Sequence, residues 1–299
     1  MKLKSILILS FIIIGQDYAF SQISYPSLSP KGIITQRVGN TSLKIEYERP
    51  SARNRKIFGE LVPWNEVWRT GAGYCTKISF DKKVKIGKQS INSGTYSLFT
   101  IPNKEEWIVI FNSDTSLYGS YDYNPDKDVA RFVVYPQHSN RYYETLTIDV
   151  DLIPNNAMIY VAWENTSIGF EFETSTDQEI EKYINEQLLT GNVKDYNEMS
   201  NAIDYLYFQG RDYKKLEWLA KESIKLNQSE FAYRLLMETY ERQHYYKKAI
   251  EAGENAIEIR KQEAKDNDEY LARDLKQWEK HLERIKTKAR NKADNTVDN

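Results

Sequence analysis

The hydrophobic period of the chain changes once, at Thr174-Ser175-Thr176-Asp177, and no other feature constrains the fold as much. Ahead of that point the apolar residues alternate, as in Leu43-Lys44-Ile45-Glu46-Tyr47 and Val84-Lys85-Ile86. Further short runs rich in branched and aromatic residues lie at 95–101, 107–112, 130–135, 146–152, 158–163 and 168–172. Gly39-Asn40, Ser93-Gly94, Asn124-Pro125-Asp126 and Pro154-Asn155 separate them as turns. Short strands at this spacing, with no helix between them, predict an antiparallel β-sandwich of jelly-roll-like type, with a closed barrel as the alternative. Beyond Asp177 the period becomes helical, and segments are expected near 178–190, 195–209, 212–226, 229–242, 245–261 and 266–290. Tyr213-Lys214-Lys215-Leu216 through Ala220 to Ile224 matches Tyr246-Lys247-Lys248-Ala249 through Gly253 to Ile257 at an offset of 33 residues. Tetratricopeptide repeats have a period of about 34 residues, so a small tetratricopeptide-like α-solenoid is expected.

The N-terminus joins a basic Lys2/Lys4 region to an apolar stretch at 6–14 and a small-x-small Ala19-Phe20-Ser21. That is the pattern of a secretory signal peptide over 1–21, and it predicts a periplasmic or secreted protein beginning at Gln22. No later stretch has the length and apolarity of a transmembrane segment. The β-domain is expected over 22–176, the helical domain over 177–290, and a polar tail over 291–299. A formal net charge of −2 argues against a nucleic-acid binder, which needs a strongly basic face. Cys75 is the only cysteine, so no intrachain disulfide forms and the cores alone must hold the fold.

The chemistry-bearing residues gather in one unperiodic stretch, RPSARNRKIFGELVPWNEVWRTGA at 49–72. Arg49, Arg53, Arg55 and Lys56 come before any acidic residue, and Trp64, Trp68 and Arg69 follow. Guanidinium forks and large rings on a rigid loop suit recognition of anions, sugars or apolar patches. Ile57, Phe58, Leu61, Val62 and Val67 are expected to anchor this loop. Arg53, Arg55, Trp64 and Trp68 are expected to face a concavity near Tyr121, Tyr123 or Arg131. Arg49 and Arg69 complete the ligand-binding set, together with Asp128, which an alternative reading pairs with a neighbouring arginine in an Asx-turn. The same loop read structurally is a clasp, its Trp buried and its arginines paired to strand carboxylates. His138, His244 and His281 are scattered, the aspartates at 122, 126 and 128 lack the glycine and distal glutamate of a calcium loop, and no GxSxG elbow exists. No metal and no cofactor is therefore expected.

The run RPSxRxRxIFGxLVPWxxVWRTGA, with SLFTIP at 97–102 and WIVIFN at 107–112, resembles the DUF2911 family of uncharacterised Bacteroidetes-type envelope proteins. The resemblance covers roughly 29–172 and implies a domain without implying a reaction. Relatives follow RTGA with Asn and Glu, where this chain has Gly73 and Tyr74, and they carry Trp-Gly where it has Tyr118-Gly119. If an amide or carboxylate at those places carries chemistry in relatives, this chain lacks it, which counts against catalysis and leaves binding untouched. The sequence thus predicts a binding or scaffolding protein with an anionic or carbohydrate ligand on the sandwich and a protein partner on the helical repeats. An envelope hydrolase acting on glycan or peptide is the alternative.

Overall fold

The computed structural model describes residues 23–210, 212–263 and 269–297, and the expected leader peptide lies outside them. Two compact units make up the chain, Met1–Glu173 and Thr174–Asn299.

The first unit is a sandwich of two antiparallel sheets. One has six strands: β1 (Lys31–Val38), β2 (Thr41–Glu48), β3 (Thr76–Phe80), β6 (Gly94–Ile101), β7 (Trp107–Asn112) and β8 (Asp128–Val134), adjacent in that order. The second runs β5 (Gln89–Ile91), β4 (Val84–Ile86), β10 (Asn156–Glu173), β9 (Gln137–Ile153). The larger sheet is a meander interrupted once, where the β4–β5 hairpin crosses to the other sheet. Neither sheet closes into a barrel. Alternation works as expected: β2 buries Thr41, Leu43, Ile45 and Tyr47 and turns Lys44 to solvent. Inward residues of both sheets, among them Ile45, Ile78, Leu98, Phe111, Ile148, Ile159 and Phe172, form one core.

The runs at 158–163 and 168–172 are a single strand, β10. It bends at Glu164, whose φ of 50° takes the left-handed region, and the register against β9 shifts on both sides of that residue. The bend separates two alternating stretches, which is why they read as two strands.

The second unit is helical: α1 (Thr176–Tyr183), a π-helical turn over Ile184–Leu188, then α2 (Tyr196–Gln209), α3 (Tyr213–Leu226), α4 (Glu230–Arg242), α5 (Tyr246–Glu263) and α6 (Glu269–Val297). Asp195 caps α2 by accepting from Glu198 N, and Gly210, at φ 65°, ends it in the left-handed conformation. Each helix from α2 onward packs mainly on its neighbours in sequence. Leu216, Ala220, Ala249, Gly253 and Ile257 are buried and Ile224 is half-buried. A Cβ on Gly253 would stand 2.7 Å from Met237 Sδ and 2.9 Å from Leu282 Cδ1, so α5 approaches both α4 and α6 closely there. α6 continues to Val297 through residues expected as a polar tail. No helix among the described residues is long and apolar enough to cross a membrane.

Candidate functional site: an arginine cavity on the sandwich

The segment after β2 leaves the six-stranded sheet and joins the other one. Ala52 N donates to Glu144 O at 2.6 Å, Leu146 N donates to Pro50 O at 2.9 Å, and the Ser51 and Thr145 hydroxyls lie 2.9 Å apart. Arg49 reinforces this seam: Nε donates to Leu146 O at 3.2 Å and Nη2 to Thr147 Oγ1 at 3.1 Å. Arg49 is therefore part of a clasp between sheets. Arg53 and Asn54 then turn the chain with positive φ, and Arg53 N donates to Glu144 Oε1 at 2.8 Å.

The middle of the loop is held by aromatic packing. Ile57, Phe58 and Val62 are buried as anchors, whereas Leu61, expected beside them, is 44% exposed and Val67 only half-buried. Trp64 is half-buried and stacks on Phe58 with centroids 5.9 Å apart. Trp68 is 8% exposed and lies stacked on Trp163 at 5.9 Å, with Phe58 and Trp107 edge-on. Its Nε1 donates to Gly71 O at 3.1 Å, and its backbone exchanges two hydrogen bonds with Thr100, at 2.8 and 2.9 Å. The expected open ring surface of Trp68 is thus corrected: the ring belongs to the core. Burying so large a ring between the sheets is what fixes the loop, so its other residues need no strand of their own.

The loop closes at Thr70-Gly71, where a Cβ on Gly71 would lie 3.0 Å from Thr76 Oγ1 and 3.3 Å from Glu48 O. Next to this closure is a cavity of about 290 Å³, with Arg53, Arg55 and Arg69 around it and Trp68, Trp163 and Val62 among its walls. The lining includes no Asp and no Glu. Arg53 Nη2 donates to Leu28 O at 2.9 Å, while Arg55 donates from Nε to Ala52 O at 3.0 Å and from Nη2 to Ser51 O at 2.8 Å. Carbonyls hold both fans in place without neutralising them. Arg69 has a buried Nε with no hydrogen-bond partner. Among the described residues, none of the three forms an ion pair with a carboxylate. Glu144 and Glu164, which both bind this loop, accept from the backbone at Arg53 and Ile57 instead.

The remaining expected residues lie elsewhere on the sandwich. Asp128 accepts from Asn112 Nδ2 at 2.8 Å and from the Tyr123 hydroxyl at 2.6 Å, with Arg131 Nη1 at 3.4 Å from the same carboxylate. Burial and that hydrogen bond to the carboxylate push the Tyr123 hydroxyl's pKa well up. Asn124 makes the Asx-turn by accepting from Asp126 N at 2.9 Å. This network holds the 3-10 turn at Pro125–Lys127 and occupies the Asp128 carboxylate. Tyr123 and Arg131 are not part of the arginine cavity. Tyr121 is 85% exposed and sits against Gly119, a position also next to Arg69 Nη1.

Three lining residues come from outside the stretch at 49–72. Trp163 comes from β10, far along the chain, just ahead of the bend at Glu164. Leu28 and Ser29, ahead of β1, supply part of the rim. Cys75 is buried, donates from Sγ to Gly119 O at 3.0 Å, and has its thiol pushed up to about 11 by burial. A thiol so held is a packing group, not a nucleophile. The described residues contain no group of three metal-ligating side chains. No curated protein and no solved structure matches the chain. Residues 29–172, the sandwich with its arginine cavity, match the family described as "Protein of unknown function (DUF2911)".

Proposed function

We propose that the protein is a periplasmic or secreted binding protein whose sandwich holds a small anion in the cavity of Arg53, Arg55 and Arg69. One observation carries this reading: three guanidinium groups surround a single cavity with no carboxylate among its lining residues, and one of them keeps a buried, unpaired Nε–H. A buried donor without a partner costs about 1–3 kcal/mol, and Arg69 carries that cost beside the cavity. Planar forks match carboxylate and phosphate groups, and the indole walls exclude water from the contact. A hydrolase would need an acid and a base facing each other, and the lining supplies neither. In the same reading the leader at 1–21 delivers the chain across a membrane. The repeated helix pairs α2–α3 and α4–α5 form a tetratricopeptide-like face for a protein partner.

The test is calorimetric titration of the full chain with inorganic phosphate, acetate and galacturonate at low and high salt. Binding of one of them is expected to weaken as salt rises and to be lost in Arg55→Ala and in Arg69→Ala. Binding that ignores both substitutions would place the anion elsewhere, and absence of binding by all three would end the reading.

A further inference from the structure

Beside the cavity lies a cluster of exposed rings that the loop does not explain. The chain after Thr70 runs antiparallel to residues 117–119: Cys75 N donates to Leu117 O at 3.2 Å and Gly119 N to Gly73 O at 3.0 Å. Tyr74 and Tyr118 are therefore paired across this bridge, their rings edge to face with centroids 5.2 Å apart. They are 57% and 63% exposed, and Tyr121 is 85% exposed. Rings left in water gain little from folding, and three of them together mark a contact surface.

Two polar groups border this ledge. A Cβ on Gly119 would meet the Tyr121 ring at 2.7 Å and stand 3.6 Å from Arg69 Nη1, so the side-chain-free position lets Tyr121 and the guanidinium approach one another. Arg69 thus reaches from the cavity to the ledge. A Cβ on Gly73 would lie 2.4 Å from both carboxylate oxygens of Glu48, which places that carboxylate against the backbone just before Tyr74. Glu48 is half-buried, and its carboxylate makes no hydrogen bond or ion pair among the described residues.

We propose that ledge and cavity form one extended site for an acidic saccharide. Its anionic group sits among Arg53, Arg55 and Arg69, and a neighbouring sugar ring lies on Tyr74, Tyr118 and Tyr121. This rests on the anion reading of the cavity and adds the ligand class. A sugar ring has an apolar C–H face that covers an aromatic ring and a rim of hydroxyls that donate to a carboxylate such as Glu48. A bare anion has no use for the ledge, and Glu48 would repel a second negative group there.

The experiment compares four ligands on the full chain by calorimetry: galacturonate, an aldobiouronic acid (one uronate linked to one neutral hexose), a disaccharide sulfated on one ring and the neutral disaccharide cellobiose. The aldobiouronic acid or the monosulfated disaccharide is expected to bind about tenfold tighter than galacturonate, and cellobiose to bind far more weakly. Tyr74→Ala and Tyr118→Ala should each remove most of that gain. Arg55→Ala should lose the monosaccharide and the disaccharides alike. If galacturonate binds through Arg55 but the disaccharides gain nothing and ignore the tyrosines, the ledge is overturned and the cavity stands. If cellobiose binds as well as the charged ligands, the acidic class is overturned. If none of the four binds, the saccharide proposal is overturned, while the anion reading is decided separately by phosphate and acetate.

Discussion

Trp68 and Arg55 are thirteen positions apart in one loop and do opposite work. Trp68→Ala empties a site enclosed by Phe58, Trp107 and Trp163, and a loss of about 3–5 kcal/mol is expected as a lower urea midpoint. Arg55 is exposed and holds only two carbonyls, so Arg55→Ala should cost less than about 1 kcal/mol in the same assay. Equal losses for the two would make Arg55 a structural residue and remove it from the site. Cys75 adds a pH expectation. Burial raises its thiol pKa to about 11, so the folded state keeps a proton that the unfolded chain releases near its ordinary value of 9.0. Stability from this group is complete below that value and declines as pH rises towards 11. Iodoacetamide at pH 8 should leave native Cys75 unmodified and label it fully in denaturant; rapid native labelling would show that the thiol is open.

Among elements, periodicity carried the reading furthest where each element buries one face. The pattern over α2 to α5 located those helices to within a few residues, because each presents a single apolar stripe to its neighbours. The three-residue β5 was missed, since Ile91 is its one apolar residue and a single apolar position shows no alternation. The loop's anchors at Ile57, Phe58 and Val62 were legible as apolar residues among polar ones. What the chain order could not display was which of its two tryptophans meets the core: that depends on Trp163 and Trp107, brought in from β10 and β7. The arginines were legible as a group, but the Asp128 network and the open cavity look alike in sequence, because both are arginines near aromatics and differ only in pairing. At the helix level, Gly253 is the position most exposed to test. Gly253→Leu should cost about 1–3 kcal/mol by forcing apart α4, α5 and α6. Gly253→Ala pits a helix-propensity gain of about 1 kcal/mol against contact with Met237 and Leu282, both flexible at their ends, and should be close to neutral by thermal melting.

At the scale of the molecule, each unit has its own apolar core, one between the sheets and one among the helices. A chain ending shortly after Glu173 is therefore expected to be soluble and to give a β-type far-ultraviolet circular dichroism spectrum. Aggregation of that fragment beside a soluble full chain would show that the sheets depend on the helices. The six-stranded sheet and its partner also share a physical reporter. Trp68 and Trp163 are stacked at 5.9 Å in the cavity wall, with Trp107 edge-on to Trp68. Three indoles so close exchange excitation energy, so the emission and near-ultraviolet optical activity of the whole chain are weighted towards this one spot. A solute entering the cavity replaces water against two of those rings, and the protein should announce the event in its own light, without a dye or a label.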